Sequence, residues 1–243
     1  MKKILFALSL LTAAASQAAT VQVASTITAA NSPHGAVNTQ VALRDQSGTT
    51  LPAGMRVRVG FFVGYTSAMD ATLKAPGGAL NLIAGQPVQF VPLGEPPLRA
   101  GYGDDTSANN ITKNIGGTIR WSVNYTNVSY VGAENSAADN NTIADGGLAR
   151  GTKLFVLVYN TGALNPNFAD PNFQYGLFTD DSFVVPETGT ATLSLNVANV
   201  DTTADVFYGA LGASLHTAQI IPEPTTGILS LLACLGLIAR RRR

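Results

Sequence analysis

The sequence predicts an all-β fold: a single β-sandwich or jelly-roll-like domain over residues 19–215. A signal peptide at 1–18 precedes it, and a tail at 222–243 with a short transmembrane helix follows. Three observations lead there. Short apolar or alternating runs dominate the body, and helical periodicity is nearly absent from it. Turn chemistry separates those runs, as in Gln46-Ser47-Gly48, Pro76-Gly77-Gly78, Gly94-Glu95-Pro96-Pro97, Asp145-Gly146-Gly147 and Thr188-Gly189. Each end of the chain pairs an uncharged apolar run with a basic cluster.

The front end reads in three parts. Met1-Lys2-Lys3 is basic, residues 4–11 are apolar, and Ala13-Ala14-Ala15-Ser16-Gln17-Ala18 is rich in small side chains. That is the pattern of a secretory signal peptide. Ser16 and Ala18 fit the small positions before the cut, so cleavage after Ala18 leaves Ala19 as the mature N-terminus.

Strands are expected at 21–27, 37–43, 56–63, 88–91, 117–125, 153–159, 175–178 and 191–197. Val57, Val59 and Phe61 alternate with Arg56, Arg58 and Gly60, which predicts one dry and one wet face. Leu154-Phe155-Val156-Leu157-Val158-Tyr159 is continuously apolar, as in a central strand covered on both sides. Two short helices are candidates, at 104–110 and 71–74. Residues 132–145, rich in Asn, Ala, Asp and Ser, read as a long exposed loop.

The tail begins with Pro222, Glu223 and Pro224. An uncharged run follows over 225–239, and the chain closes on Arg240, Arg241, Arg242 and Arg243. A membrane-spanning helix needs about 20 apolar residues, so this run is a short span. The four arginines act as a stop that stays on the cytoplasmic side. Gly227, Ser230, Ala233 and Gly236 give the helix one small face, the kind that packs closely against another helix in lipid.

The tripeptide, the apolar helix and the basic terminus together resemble the PEP-CTERM sorting domain, over residues 222–243 only. The resemblance implies recognition and cleavage near Pro222-Glu223-Pro224 by an exosortase, a membrane-embedded enzyme resembling cysteine transpeptidases. It also implies transient anchoring in the membrane, then delivery to the cell surface or an exopolysaccharide matrix. Within the body, the runs at 57–62 and 153–160 resemble recurring pieces of PEP-CTERM bodies of uncharacterised type, which carry no activity to transfer.

Charge narrows the partners. Fifteen Lys and Arg balance fifteen Asp and Glu. Removal of both end segments takes away six bases (Lys2, Lys3 and the four terminal arginines) and one acid, Glu223. Nine bases and fourteen acids remain, a net charge of −5. Such a body has no counterion-release route to nucleic acid. The one cysteine, Cys234, lies in the tail, so the body forms no intramolecular disulfide and no thiolate metal site.

No catalytic constellation is legible. The two histidines, His34 and His216, lie near opposite ends of the body, and no Gly-x-Ser-x-Gly elbow occurs. Glu95, Glu134 and Glu187 have polar or turn surroundings instead of the apolar strand that would raise a carboxyl pKa for glycoside hydrolysis. P-loop and dinucleotide fingerprints are missing. No cofactor is expected, with calcium as the one metal to consider. Its candidate ligands are Asp104 with Asp105, Asp180 with Asp181, and Asp139-Asn140-Asn141 with Asp145. Ordinary solvated loop acids are the favoured explanation of these clusters.

Trp121 and Tyr125 share a strand face beside Asn124, an arrangement that stacks on sugar rings when exposed and is core when not. The expectation is therefore an exported, non-enzymatic surface or matrix protein. Its partners would be signal peptidase and exosortase during export and exopolysaccharide afterwards. The alternatives are a carbohydrate-binding module and, less favoured, a secreted hydrolase.

Overall fold

The computed structural model of the chain describes residues 18–220, apart from 31, 84, 86–87, 95–101, 106–112, 116–117, 121–122, 132–147, 164–165 and 187–191. Within these residues the fold is all-β with one short α-helix. In chain order the elements are β1 (Ala18–Ala24), β2 (Leu43–Arg44), β3 (Val57–Phe62), α1 (Asp70–Lys74), β4 (Phe90–Pro92), β5 (Tyr102–Asp105) and β6 (Lys113–Ile115). Then come β7 (Thr118–Arg120), β8 (Val123–Val131), β9 (Leu148–Ala149), β10 (Phe155–Tyr159), β11 (Gln174–Phe178) and β12 (Leu193–Asn196). The last are β13 (Val206–Tyr208), β14 (Ala210–Leu211), β15 (Leu215–His216) and β16 (Ala218–Gln219).

Two larger sheets organise the body. The first runs β12-β1-β8-β5, with β9 beside β8. In it β1 lies parallel to β12, Val21 opposite Leu193, and antiparallel to β8. The second sheet is antiparallel, β13-β11-β10-β3-β4, with β16 added to β11.

Residue alternation along β10 decides how the layers pack. Val156 and Val158 join one apolar cluster with Val21, Val23, Leu193 and Leu195 of the first sheet and Val57, Val59 and Phe61 of β3. Phe155, Leu157 and Tyr159 point the other way, into a second cluster with Leu73 of α1, Tyr175, Leu177 and Phe207. Every residue of β10 is therefore buried, as its continuous apolar run predicts. Each fully buried Val, Leu or Phe adds roughly 1.5–3 kcal/mol.

The second cluster also corrects the reading of β3. Its expected wet face is covered: Phe62 is buried and Arg58 half-buried. Gly60 on that face is obligatory, because a Cβ there would stand 2.2 Å from the Val91 carbonyl oxygen of β4.

Other expectations divide. The helix at 71–74 is α1, with Asp70 in its first turn and Lys74 in its last, as the helix dipole favours. The helix expected at 104–110 is overturned at its start. Asp104 and Asp105 belong to β5, paired with Thr126 and Tyr125 of β8, and ladder pairing outweighs local propensity. Residues 106–110 lie outside the described residues. The strand expected at 37–43 is a turn at first, since Asn38 takes the left-handed conformation at φ 67. It meets residues 25–27 through the Thr26–Gln40 bridge and flanking backbone hydrogen bonds, and becomes a strand at β2. The stretch at 117–125 contains β7 and the start of β8, which continues to Val131. The loop expected at 132–145 lies outside the described residues.

Strand structure also continues past 215. β16 pairs with Gln174 and Tyr175, and Ile220 packs against the second cluster.

Candidate functional site

A groove of about 270 Å³ opens on the face of the second sheet that carries Tyr159. Two neighbouring strands supply its floor, Arg58 from β3 and Tyr159 from β10. Phe90 of β4 and Phe168 of the loop after β10 supply aromatic walls, and Asn81 and Gln89 add amides.

Its parts are held from behind. Tyr159 packs on Phe173 with ring centroids 5.4 Å apart, and Phe173 packs edge-on against Phe168 at 5.3 Å. Phe90 rests on Phe62 at 5.2 Å. The Arg58 guanidinium lies 5.5 Å from the Tyr159 ring centroid and donates through Nη1 to the Tyr159 hydroxyl at 3.3 Å. A cation over an aromatic face is stabilised by the ring quadrupole, which favours a half-buried arginine at this place. Asn81 holds a left-handed backbone at φ 58, a conformation that asparagine tolerates better than most residues. Its Oδ1 accepts the Val88 amide at 3.3 Å and ties the loop leading into β4.

A second depression of about 310 Å³ lies on the other side of Phe173. Its polar groups serve the loop itself. Asn160 Nδ2 donates to the Asn172 carbonyl at 2.8 Å, Asn167 Oδ1 accepts the Ala169 amide at 3.1 Å, and Asp170 Oδ1 accepts the Asn172 amide at 2.8 Å. This depression is the outside of a folded loop, whereas the groove presents aromatic faces, amides and a cation together. Among its described lining residues the groove holds no carboxylate pair and no histidine beside a nucleophile.

The residues singled out in the sequence fall elsewhere. Trp121 lies outside the described residues. Tyr125 is in β8, opposite Val21 of β1 and Asp105 of β5. Asp104 and Asp105 sit on a strand and not in the flexible loop that a calcium site favours. Asp180 accepts hydrogen bonds from the amide and hydroxyl of Ser182, closing a turn. Asp181 is fully exposed and meets Lys153 Nζ at 3.2 Å. Among the described residues no three His, Cys, Asp or Glu side chains converge. Glu95, Glu134, Glu187, Asp139 and Asp145 lie outside the described residues.

His34 is buried, with Nε2 donating to the Val200 carbonyl at 2.7 Å, and His216 Nδ1 donates to the Asp45 carbonyl at 3.2 Å. His34 thus ties two distant loops, and His216 ties β15 to the turn after β2. Ala18 is the first residue of β1 and pairs with Ser129. Pro222, Glu223, Pro224 and Arg240 to Arg243 lie outside the described residues. Among those described, no helix is long and apolar enough to cross a membrane.

Sequence reasoning passed over Phe90, Phe168 and Asn81, which no local pattern marks. Arg58 did carry a signal, as a cation inside the run Val57 to Phe62. Comparison of the chain with protein-family models, with curated proteins and with solved structures finds no match.

Proposed function

We propose that this chain is an exported, non-enzymatic surface or matrix protein, sorted through its C-terminal tail by an exosortase-type system. The observation that carries the reading is the tail itself: Pro222-Glu223-Pro224, the uncharged run over 225–239, and the four terminal arginines. Two features of the body support it. Cleavage after Ala18 removes one residue of β1 and leaves the pairs from Ala19 to Ala24 available to the sheet. The shared cluster between the two larger sheets supports a β-sandwich body for the passenger.

Deletion of 222–243 tests the sorting. Localisation of the truncated chain should shift from the cell surface to the periplasm or medium, and unchanged surface delivery would remove the reading's main support.

The groove on β3 and β10 favours a second reading, a carbohydrate-binding body. Aromatic faces beside amides suit a sugar's apolar ring face and hydroxyls. Trp121 and Tyr125 are the sequence-based candidates for the same role. Glycan binding by Trp121→Ala, compared with a variant in the groove, separates the two places.

A further inference from the structure

We propose that the body docks on the membrane surface through the face where the tail leaves it, with Leu82 set into the lipid headgroup layer beside the turn at Gly77 and Gly78. The proposal rests on the tail reading above, in which 225–239 spans the membrane, and adds the face of the body that meets the lipid.

The chain is held to the body almost as far as the tripeptide. β16 pairs with Gln174 and Tyr175 of β11. The Gln219 amide donates to Gln46 Oε1 at 3.0 Å, and the Gln219 carbonyl accepts the Tyr208 hydroxyl. Ile220 packs against the second cluster. Pro222 follows two residues later, and the uncharged run starts at Thr225. The five residues from Ile220 to Thr225 span at most roughly 18 Å when fully extended. The headgroup layer takes up roughly 5–8 Å of that. A globular body of about 200 residues is roughly 40 Å across. A tether that short cannot pass around the body, so the face at Ile220 is turned to the lipid.

That face is apolar. Leu82, 47% exposed, is one of two exposed large hydrophobic side chains among the described residues. A Cβ on Gly77 would stand 3.3 Å from Leu82 Cδ1 and 3.5 Å from Ile220 Cγ2, so the two side chains flank one point. Ile83 Cδ1 would lie 3.4 Å from a Cβ on Gly78. An exposed leucine alone is ordinary; its place at the root of the tail gives it a surface to meet. Segments 71–94 and 206–222, which come together here, contain no Asp or Glu, and their only Lys or Arg is Lys74. Asp45, in the turn that carries Gln46, has its carboxylate engaged by Ser47 and Thr49. The contact is therefore apolar and does not depend on anionic lipid.

The test uses the full chain carrying Cys234→Ala, reconstituted in phosphatidylcholine vesicles that contain a lipid with a nitroxide on its headgroup. A nitrobenzoxadiazole label is attached at Leu82→Cys, at Pro76→Cys or at Val37→Cys. Val37, the other exposed large hydrophobic, belongs to the far end of the body. His34, three residues before it, bonds the Val200 carbonyl, and Asn199 bonds Ser182, past the opposite end of β11 from β16. Labels at 82 and 76 should shift to the blue and be quenched several-fold more strongly than the label at 37.

Equal quenching at 82 and 37, in a chain that floats with the vesicles, overturns the docking face and leaves the tail reading standing. A full chain that does not float with the vesicles overturns the tail's span and the docking with it. Quenching at 82 only after phosphatidylglycerol is added overturns the apolar contact. If Leu82→Cys melts early, the label at Pro76→Cys decides the matter.

Discussion

The ring of Tyr208 lies flat on the ring of Tyr175, with centroids 4.2 Å apart and planes 10° from parallel. The Tyr175 hydroxyl accepts the Gly77 amide at 3.1 Å, and the Tyr208 hydroxyl donates to the Gln219 carbonyl. Two strands of the second sheet thus hold the turn after α1 on one side and β16 on the other.

Tyr208→Phe keeps the stack and removes one hydrogen bond to β16. The expected loss is about 1 kcal/mol, the usual net value of such a bond. Thermal melting checks the size, and hydrogen exchange in residues 217–219 should speed up before the rest of the body. Exchange unchanged there would mean that the Tyr208–Gln219 bond does not secure β16.

Alkaline pH should loosen the same region. Burial, and next the neighbouring Tyr208, pushes the Tyr175 phenol above its ordinary 10.0. Burial does the same to Tyr208, and burial followed by the hydrogen bond to Asp70 does so to Tyr65. A phenol that is harder to ionise when folded binds more protons in the native state than in the unfolded one. Its stabilising contribution is complete below pH ~10 and falls as pH rises beyond it. Melting temperature should stay level up to about pH 10 and drop above, together with the appearance of tyrosinate absorbance. A level melting temperature through pH ~11.5, with tyrosinate already formed, would contradict the burial of these rings.

The two apolar clusters should matter about equally. Leu154 belongs to the cluster between the sheets and Leu157 to the one under α1, and both are at most 1% exposed. Leu154→Ala and Leu157→Ala should each cost about 2–5 kcal/mol in denaturant unfolding, the range for leucine truncations in close-packed cores. A cost below about 1 kcal/mol for Leu157→Ala would make the second cluster a loose covering and remove the rigid floor of the groove.

Local pattern carried much of the fold. Continuous apolar character from Leu154 to Tyr159 announced a strand buried on both faces, and β10 is one. Short alternating runs announced β1, β3 and β12 within a residue or a few of their ends. Local reading failed where a partner overrode propensity. Asp104 and Asp105 favour a helix start on their own, yet β8 pairs them into a strand. Val37 to Leu43 has strand composition, yet Asn38 turns the chain. Arg58 was placed on a solvent face because alternation states only that two faces differ. Whether the second is covered depends on α1 and on residues more than a hundred positions away.

What the sequence determined by itself was composition, charge, strand periodicity and the order of segments from Met1 to Arg243, since each of these is a property of neighbours along the chain. Tertiary structure alone decided the groove. Arg58 and Tyr159 stand 101 positions apart and meet only because β3 and β10 share a ladder, and Phe90 and Phe168 arrive from other elements. Such a site is set by which strands pair and which loops fold over them, and no stretch of adjacent residues encodes that pairing.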